Sequence, residues 1–157
     1  MSIVEVSETT EAEVVRAISF VDDPEYPGVS IVDLGLFESV EIEDGFVRVG
    51  LIPTFSGCPA LAMIAEDVRA QVDSLPGVSQ VEVNWLNRPV WTVGRMSAHA
   101  RTHIATEFTV AVRVPGKSPS CPRCAGELVE KSMFGPSRCR SVSRCSHCGE
   151  TVEVMRS

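Results

Sequence analysis

The chain has 157 residues, 44% hydrophobic and 22% charged, a composition that excludes disordered and collagen-like proteins. No apolar run approaches the roughly 20 residues that a membrane helix needs, and the first residues lack the basic and apolar regions of a secretory signal. We therefore expect a cytoplasmic protein without membrane contact, whose reduced cysteines bind metal rather than form disulfides.

The net charge of −7 is unevenly distributed along the chain. Residues 1–115 contain seven basic and seventeen acidic residues, whereas residues 116–157 contain seven basic and four acidic residues. An acidic surface repels the phosphates of nucleic acids. We therefore do not expect nucleic acid as a partner. Of the two segments, only the C-terminal one has the net positive charge that binding to nucleic acid would need.

The distribution of cysteines and a turn-rich segment predict two domains. Cys58 is the one cysteine of the first 120 residues, and the other five fall between residues 121 and 148. Residues 115–120, with the sequence PGKSPS, have the composition of a linker. We predict an α/β domain over residues 1–115 and a small second domain over residues 116–157.

The predicted elements of the first domain begin with a helix after Thr10, which forms a capping box with Glu13. A hairpin follows, in which residues 40–43 and 46–52 flank Asp44 and Gly45, a pair typical of a type I′ turn. Its outward glutamates, Glu41 and Glu43, indicate that one face of the sheet is exposed to water.

The second predicted helix has one apolar stripe, formed by Leu61, Ile64, Ala65, Val68 and Val72. Alternation over residues 81–85 predicts a third strand, a serine at position 97 caps a third helix toward residue 107, and valines at 110, 112 and 114 predict a last strand. These elements favour a two-layer domain with two helices packed on one face of a small sheet.

The C-terminal segment has the cysteine spacing of a zinc ribbon. Two Cys-x2-Cys pairs, separated by twenty residues, are formed by Cys121, Cys124, Cys145 and Cys148. Each pair places two thiolates in one tight turn, and Gly126 and Gly149 follow the pairs, where a residue with positive φ commonly completes the turn. Strands are expected over residues 128–134 and 151–155, and metal binding supplies much of the folding energy of a segment this small.

The spacing leaves the nature of the ion open, because four thiolates also suit a rubredoxin-type iron site. Two disulfides are the remaining alternative, and a reducing compartment disfavours them. Cys139 is a further candidate ligand or a small buried side chain, and His147 lies inside the second pair.

Cys58 precedes the second predicted helix within the sequence TFSGCP, residues 54–59. We expect it at or beside the helix cap, where exposed amide groups and the helix dipole favour a thiolate, with Pro59 in the first helical turn. Local sequence leaves two interpretations open, a functional thiolate or a small residue in a capping turn. His99 and His103 are one helical turn apart but lack a third ligand in the pattern.

Several short motifs together resemble the iron–sulfur cluster assembly (FSCA) domain family, which includes SufT-like proteins. They are Asp23, Glu25 and Pro27, the sequence IVDLGL at residues 31–36, and the TFSGCP sequence. The sequence NRPVWT at residues 87–92, Met96 and Ser97, the four-cysteine segment, and Phe134 and Gly135 with Cys139 resemble the PaaD-type branch, accessory proteins of phenylacetyl-CoA epoxidase systems.

The resemblance implies a two-layer α/β domain that assembles or delivers iron–sulfur clusters to a client oxygenase or reductase of a pathway such as phenylacetate degradation. It implies that Cys58 is a ligand or transfer residue of a transient cluster, with Asp23, Glu25, Asp33 and Thr54 nearby. Because such clusters take four thiolates, one cysteine requires a homodimer or a partner from the assembly machinery.

Three other functions remain open from the sequence. A cysteine-dependent enzyme would need a base near Cys58, and neither such a motif nor a nucleotide-binding glycine signature is found, so we expect an accessory protein without turnover chemistry. A docking component of a multicomponent oxygenase complex would use the ribbon as its contact surface. A nucleic-acid-binding ribbon is disfavoured by the acidic first domain.

Overall fold

The computed structural model describes residues 8–55, 59–113, 116–135 and 140–155. Its elements, in chain order, are α1 (Glu11–Ile18), β1 (Phe37–Glu43), β2 (Phe46–Leu51), α2 (Leu61–Asp73), β3 (Gln80–Trp85), a 3-10 turn (Val93–Arg95), α3 (Ala98–Phe108), β4 (Val110–Val112), β5 (Leu128–Ser132), β6 (Arg140–Cys145) and β7 (Thr151–Met155). Two sheets and their helices confirm the predicted α/β class. None of the helices in these ranges is long and apolar enough to cross a membrane.

The first sheet has the order β1-β2-β3 and contains the predicted hairpin. β1 and β2 are antiparallel, and the residues that join them, Asp44 and Gly45, have φ angles of 48° and 80°, as a type I′ turn requires. β2 and β3 are parallel, so the chain between them crosses over through α2. Glu41 and Glu43 are exposed, as predicted.

Helices α1 and α2 cover the sheet with the apolar faces that their sequences predict. The capping box is present, since Glu13 accepts the Thr10 N–H at 2.9 Å and the Thr10 hydroxyl accepts the Glu13 N–H at 3.3 Å. The core combines buried side chains of α1, of β2 and of α2: Val14 and Ile18; Val47, Val49 and Leu51; Ile64, Val68 and Val72. Leu61 and Ala65, which belong to the predicted stripe, are half-buried.

Helix α2 begins later than the position of Pro59 predicts. Ala60 is its N-cap and forms no side-chain cap hydrogen bond, so Pro59 lies in the turn before the helix and not in its first turn. Cys58, which precedes Ala60 by two positions in the sequence, lies outside the described residues. The helix is therefore confirmed and the placement of Pro59 within it is wrong, while the position of Cys58 at the cap stays a prediction.

The second sheet joins the ribbon to the rest of the molecule. Its order is β4-β7-β6-β5, and β4, which precedes residue 115, pairs in parallel with β7, with Ala111 opposite Val154. Val110 of β4 and Met155 of β7 are buried in the main core, together with the helices. The proposed domain boundary therefore lies after a strand that is hydrogen-bonded to the ribbon. Residues 114 and 115 lie outside the described ranges.

Candidate metal centre and acidic turn

The four predicted cysteines converge on one site. Their Sγ atoms all lie within 4.8 Å of one another, with 3.8 Å between Cys121 and Cys148 and 3.4 Å between Cys124 and Cys145. Four sulfurs at about 2.3 Å from a tetrahedral ion would be about 3.8 Å apart, so the four thiols fit such an ion. Within the described ranges, no other group of three or more histidine, cysteine or carboxylate side chains is arranged to hold a metal.

Each cysteine pair forms a turn, called a knuckle here, in which the first cysteine is buried and the second exposed. Cys121 and Cys145 are buried, 2% and 1% exposed. In the first knuckle the Ala125 N–H donates to the Cys121 carbonyl at 2.8 Å, and in the second the Gly149 N–H donates to the Cys145 carbonyl at 3.0 Å. The same backbone turn occurs twice, so each pair presents its two thiols in the same way.

The residue directly after each pair takes the left-handed conformation. Gly149, with a φ of 76°, does so as predicted, but in the first knuckle the residue is Ala125, with a φ of 61°, and not Gly126. The prediction for Gly126 was wrong because it is the second residue after Cys124, whereas Gly149 is the first after Cys148. Gly126 is needed for close packing, since a Cβ there would lie 2.8 Å from the His147 Cβ and 2.9 Å from the Cys145 Sγ.

Exchanging alanine and glycine at these two positions should therefore have opposite effects. Ala125→Gly removes left-handed strain of about 1 kcal/mol and should increase the affinity of the ribbon for its metal. Gly126→Ala places a methyl group against the Cys145 Sγ and should decrease it. Competition with a chromophoric chelator measures both variants, and a gain of affinity in Gly126→Ala would contradict the packing role of this glycine.

Hydrogen bonds from backbone amides also affect the pKa values of the thiols. The Cys148 N–H donates to the Cys145 Sγ at 3.5 Å and, as the largest contribution, lowers the pKa of that thiol to about 6. The Gly126 N–H acts in the same direction on Cys124 at 3.4 Å, but the neighbouring thiols, Cys145 first, outweigh it and raise the pKa of Cys124 to about 12. In the metal-free ribbon, Cys145 therefore loses its proton at a lower pH than Cys124 does.

The acidic residues predicted to surround Cys58 lie in two turns. Asp23 is buried, and its Oδ1 accepts the Glu25 N–H at 2.8 Å, within a turn of residues 22–29 that is called the acidic turn here. Burial raises the pKa of the Asp23 carboxyl, and the charge of Arg140 opposes that rise. Asp33 is held by Ser30, whose hydroxyl donates to its Oδ2 at 3.4 Å and accepts its N–H at 3.1 Å.

Thr54 lies on the wall of an open cavity of about 300 Å³ at the end of β2. Trp91 lines the same cavity, is 2% exposed, and donates its indole N–H to the Leu34 carbonyl at 2.9 Å. Because Leu34 directly follows Asp33, Trp91 links the turn that holds Asp33 to the wall that holds Thr54. Cys58 and Cys139 lie outside the described residues, so their predicted roles stay predictions.

Arg140 is the residue of this region that sequence reasoning missed. Its guanidinium contacts Glu25 of the acidic turn, Glu153 of β7 and the ring of Tyr26. No motif marks it, because an arginine at the start of a short polar strand has no distinguishing neighbours.

The two histidines noted in the sequence both lie on α3. His103 packs over Gly28, and its ring is 5.9 Å from that of His99.

Comparisons with known proteins match both parts of the chain. A family model described as iron–sulfur cluster assembly protein matches residues 11–85, and a model described as PaaD zinc beta ribbon domain matches residues 106–156. An Fe–S protein maturation auxiliary factor of Porphyromonas gingivalis is 42% identical over 92 residues, covering 58% of this chain and 87% of the relative.

A second relative spans nearly the whole chain. It is an Escherichia coli protein provisionally named as a component of 1,2-phenylacetyl-CoA epoxidase, 30% identical over 154 residues, or 92% of this chain and 91% of the relative. Among solved structures, a domain of unknown function from Bacillus anthracis has a TM-score of 0.57 at 33% identity, covering 61% of this chain and 92% of that one. The Escherichia coli relative therefore spans both the region that matches the cluster assembly model and the region that matches the ribbon model.

Proposed function

Because the chain belongs to the iron–sulfur cluster assembly (FSCA) domain family and carries the zinc β ribbon of PaaD-type proteins, we propose that it matures iron–sulfur proteins by holding a cluster transiently. The observation that carries the proposal is the match of both parts, in one chain, to a relative covered over 91% of its length. Relatives named as Fe–S protein maturation auxiliary factors cover 58% and 60% of this chain.

Zinc is the proposed ion of the ribbon. Four thiolates at tetrahedral spacing, two of them buried beneath the knuckles, suit a closed structural site without an open coordination position. An ion there would hold the two knuckles together and so fix the ends of β6 and β7 that adjoin them. The cluster is cargo and would be handled in the first domain, residues 1–115.

Cys58 is the proposed ligand or transfer residue for the cluster, with Asp23, Glu25, Asp33 and Thr54 shaping its surroundings. Support comes from the position of Cys58 in the family motif, shortly before α2, and from Thr54 on the cavity wall just upstream of it. One thiolate cannot hold a cluster alone, so a second copy of the chain or a protein of the assembly machinery completes the ligand set.

Anaerobic reconstitution with iron and sulfide tests this role. We expect the zinc-loaded wild-type protein to develop a thiolate-to-iron absorption band, and Cys58→Ala to lose the band while its zinc content stays the same. Cys139→Ala is the matched control, because it removes a cysteine that is outside both the TFSGCP motif and the four-cysteine site. A band of equal strength in Cys58→Ala would contradict the role of Cys58.

A cluster-transfer assay tests the maturation function separately from the role of Cys58 as a cluster ligand. Wild-type protein loaded with a cluster should restore the spectrum of an apo-form iron–sulfur client, and Cys58→Ala should not. If the wild-type protein neither binds iron and sulfide nor restores a client, the maturation function itself is wrong. The client is proposed to be an oxygenase or reductase, as in phenylacetate degradation, and the cytoplasm is the proposed compartment because the thiols must stay reduced.

A docking component of an oxygenase complex is the second candidate. The observation in its favour is an exposed apolar tip after the edge strand β5, where Met133 is 57% exposed and Phe134 is 77% exposed. Exposed clusters of this kind commonly mark protein contacts. Stable co-elution of the chain with an assembled oxygenase, in a stoichiometric ratio, would favour docking over transient maturation.

A further inference from the structure

The guanidinium of Arg140 lies between the ribbon and the acidic turn. Its Nη1 is 2.5 Å from the Oε2 of Glu153 in β7, and its Nη2 is 3.3 Å from the Oε2 of Glu25. Its Cζ lies 4.5 Å from the centroid of the Tyr26 ring, and the side chain is 12% exposed. One largely buried cation thus contacts carboxylates from both parts of the molecule.

The surroundings of Arg140 shield these contacts from water more than those of an ordinary surface pair. Tyr26 is 2% exposed and stacks edge-on against Phe108 of α3, so the cation rests on the main core. The Arg113–Glu130 pair on the same sheet is longer, at 3.7 Å, and its side chains are 51% and 45% exposed. Water screens that exposed pair, whereas removing one partner of a shielded pair leaves a charge without its counter-ion.

The strand that begins with Arg140 ends at the metal centre. β6 runs from Arg140 to Cys145, a predicted ligand, and pairs along its length with β7, which starts just after the second knuckle. β7 ends at Met155, which is buried in the main core. The two strands therefore have metal ligands at one end and contacts with the core and the acidic turn at the other.

The acidic turn is held internally by its own backbone. The Tyr26 N–H donates to the Asp23 carbonyl at 3.0 Å, and the Val29 N–H donates to the Tyr26 carbonyl at 2.9 Å. Glu25 is 33% exposed and faces Arg140 from this turn. A shift of Arg140 would remove the cation from Glu25 and from the buried Asp23 next to it.

We propose that Arg140 couples the metal in the ribbon to the acidic turn, so that loss of the ion loosens residues 22–29. Coupling between two sites is reciprocal. Removal of the Glu25 charge, in the first domain, therefore weakens metal binding at cysteines that Glu25 does not contact. The inference needs a metal at the four cysteines and does not depend on Cys58 or on the cluster.

Zinc affinity tests the coupling from the side of the first domain. In chelator competition on the full chain, Glu25→Gln should bind Zn²⁺ about fivefold more weakly than the wild type, the lower end of the usual range for coupled sites. Arg140→Met should lose at least as much Zn²⁺ affinity. Arg140→Lys keeps the positive charge but not the two-armed guanidinium, so it should lose less Zn²⁺ affinity than Arg140→Met. Arg113→Met is the matched control and should bind Zn²⁺ like the wild type.

Amide hydrogen exchange tests the coupling from the side of the metal. In the wild type, removal of Zn²⁺ should speed exchange of the Tyr26 and Val29 amides, while amides of α2 serve as the reference for global unfolding. In Arg140→Met these two amides should exchange fast with and without Zn²⁺.

Three outcomes would overturn the proposal. The first is an unchanged Zn²⁺ affinity in Glu25→Gln. The second is an equal loss of affinity in Arg113→Met, which would show that the effect comes from surface charge alone. The third is amide exchange at Tyr26 and Val29 that does not change when Zn²⁺ is removed from the wild type. Glu25→Gln keeps the size of a partly exposed side chain, so its result stands even if Arg140→Met fails to fold.

Discussion

Cys145→Ser is expected to remove the metal from the ribbon and unfold β5 to β7. Cys145 is 1% exposed and is the thiol with the pKa lowered to about 6, so the variant loses both a buried ligand and the thiolate that forms most easily. Binding of zinc supplies about 10–16 kcal/mol to small zinc-finger peptides, far more than their own core provides. Elemental analysis should change from about one ion per chain to none.

Loss of the ion in Cys145→Ser should also destabilise the first domain. Met155 of β7 and Val110 of β4 are part of the main core, so thermal unfolding of the whole chain should begin at a lower temperature. Cys139→Ser is the control, because four thiolates already complete a tetrahedral site. If Cys139→Ser lost the ion and Cys145→Ser kept it, the assignment of the four ligands would be wrong.

The affinity of the ribbon for zinc should rise steeply with pH around neutrality. A metal binds thiolates, so every ligand that is still protonated must release its proton. The pKa of Cys124 is raised to about 12 and that of Cys148 is also raised, whereas Cys145, with a pKa of about 6, is already a thiolate at pH 7. Release of at least two protons makes the apparent affinity rise about hundredfold or more per pH unit.

The dependence of the zinc affinity on pH should become steeper below pH 6. There Cys145 is also protonated, so the ion must displace one more proton. Chelator competition between pH 5.5 and 8, corrected for protonation of the chelator, measures the slope. Proton release on adding Zn²⁺ in weak buffer at pH 7 gives an independent count. An affinity that does not change with pH would show that all four thiols are ionised before the metal arrives.

Most elements of the fold could be predicted because their signals are local. The capping box of Thr10 and Glu13, the Asp44–Gly45 turn and the stripe of α2 each depend on residues within one helix or turn. The four-cysteine site could be predicted for the same reason, since each knuckle is one tight turn and tetrahedral coordination requires the two knuckles to meet.

Other features depend on contacts between distant parts of the chain and could not be predicted. β6 was missed because its alternating inward residues are Ser141 and Ser143, which are 1% and 3% exposed and carry no apolar signal. The role of Arg140 depends on Glu25, more than a hundred positions earlier in the sequence. Ala125 in the left-handed conformation was missed because alanine rarely adopts it, and the neighbouring glycine was the more obvious choice.

The pairing of β4 with β7 has a consequence for the order in which the chain folds. The long intervening segment between Ala111 and Val154 must be closed into a loop before this pairing forms, at an entropic cost that grows with loop length. An ion bound to the four cysteines ties residues 121 and 148 together and leaves only two short segments to close. Metal binding before the docking of β7 should therefore lower the entropic cost of this pairing.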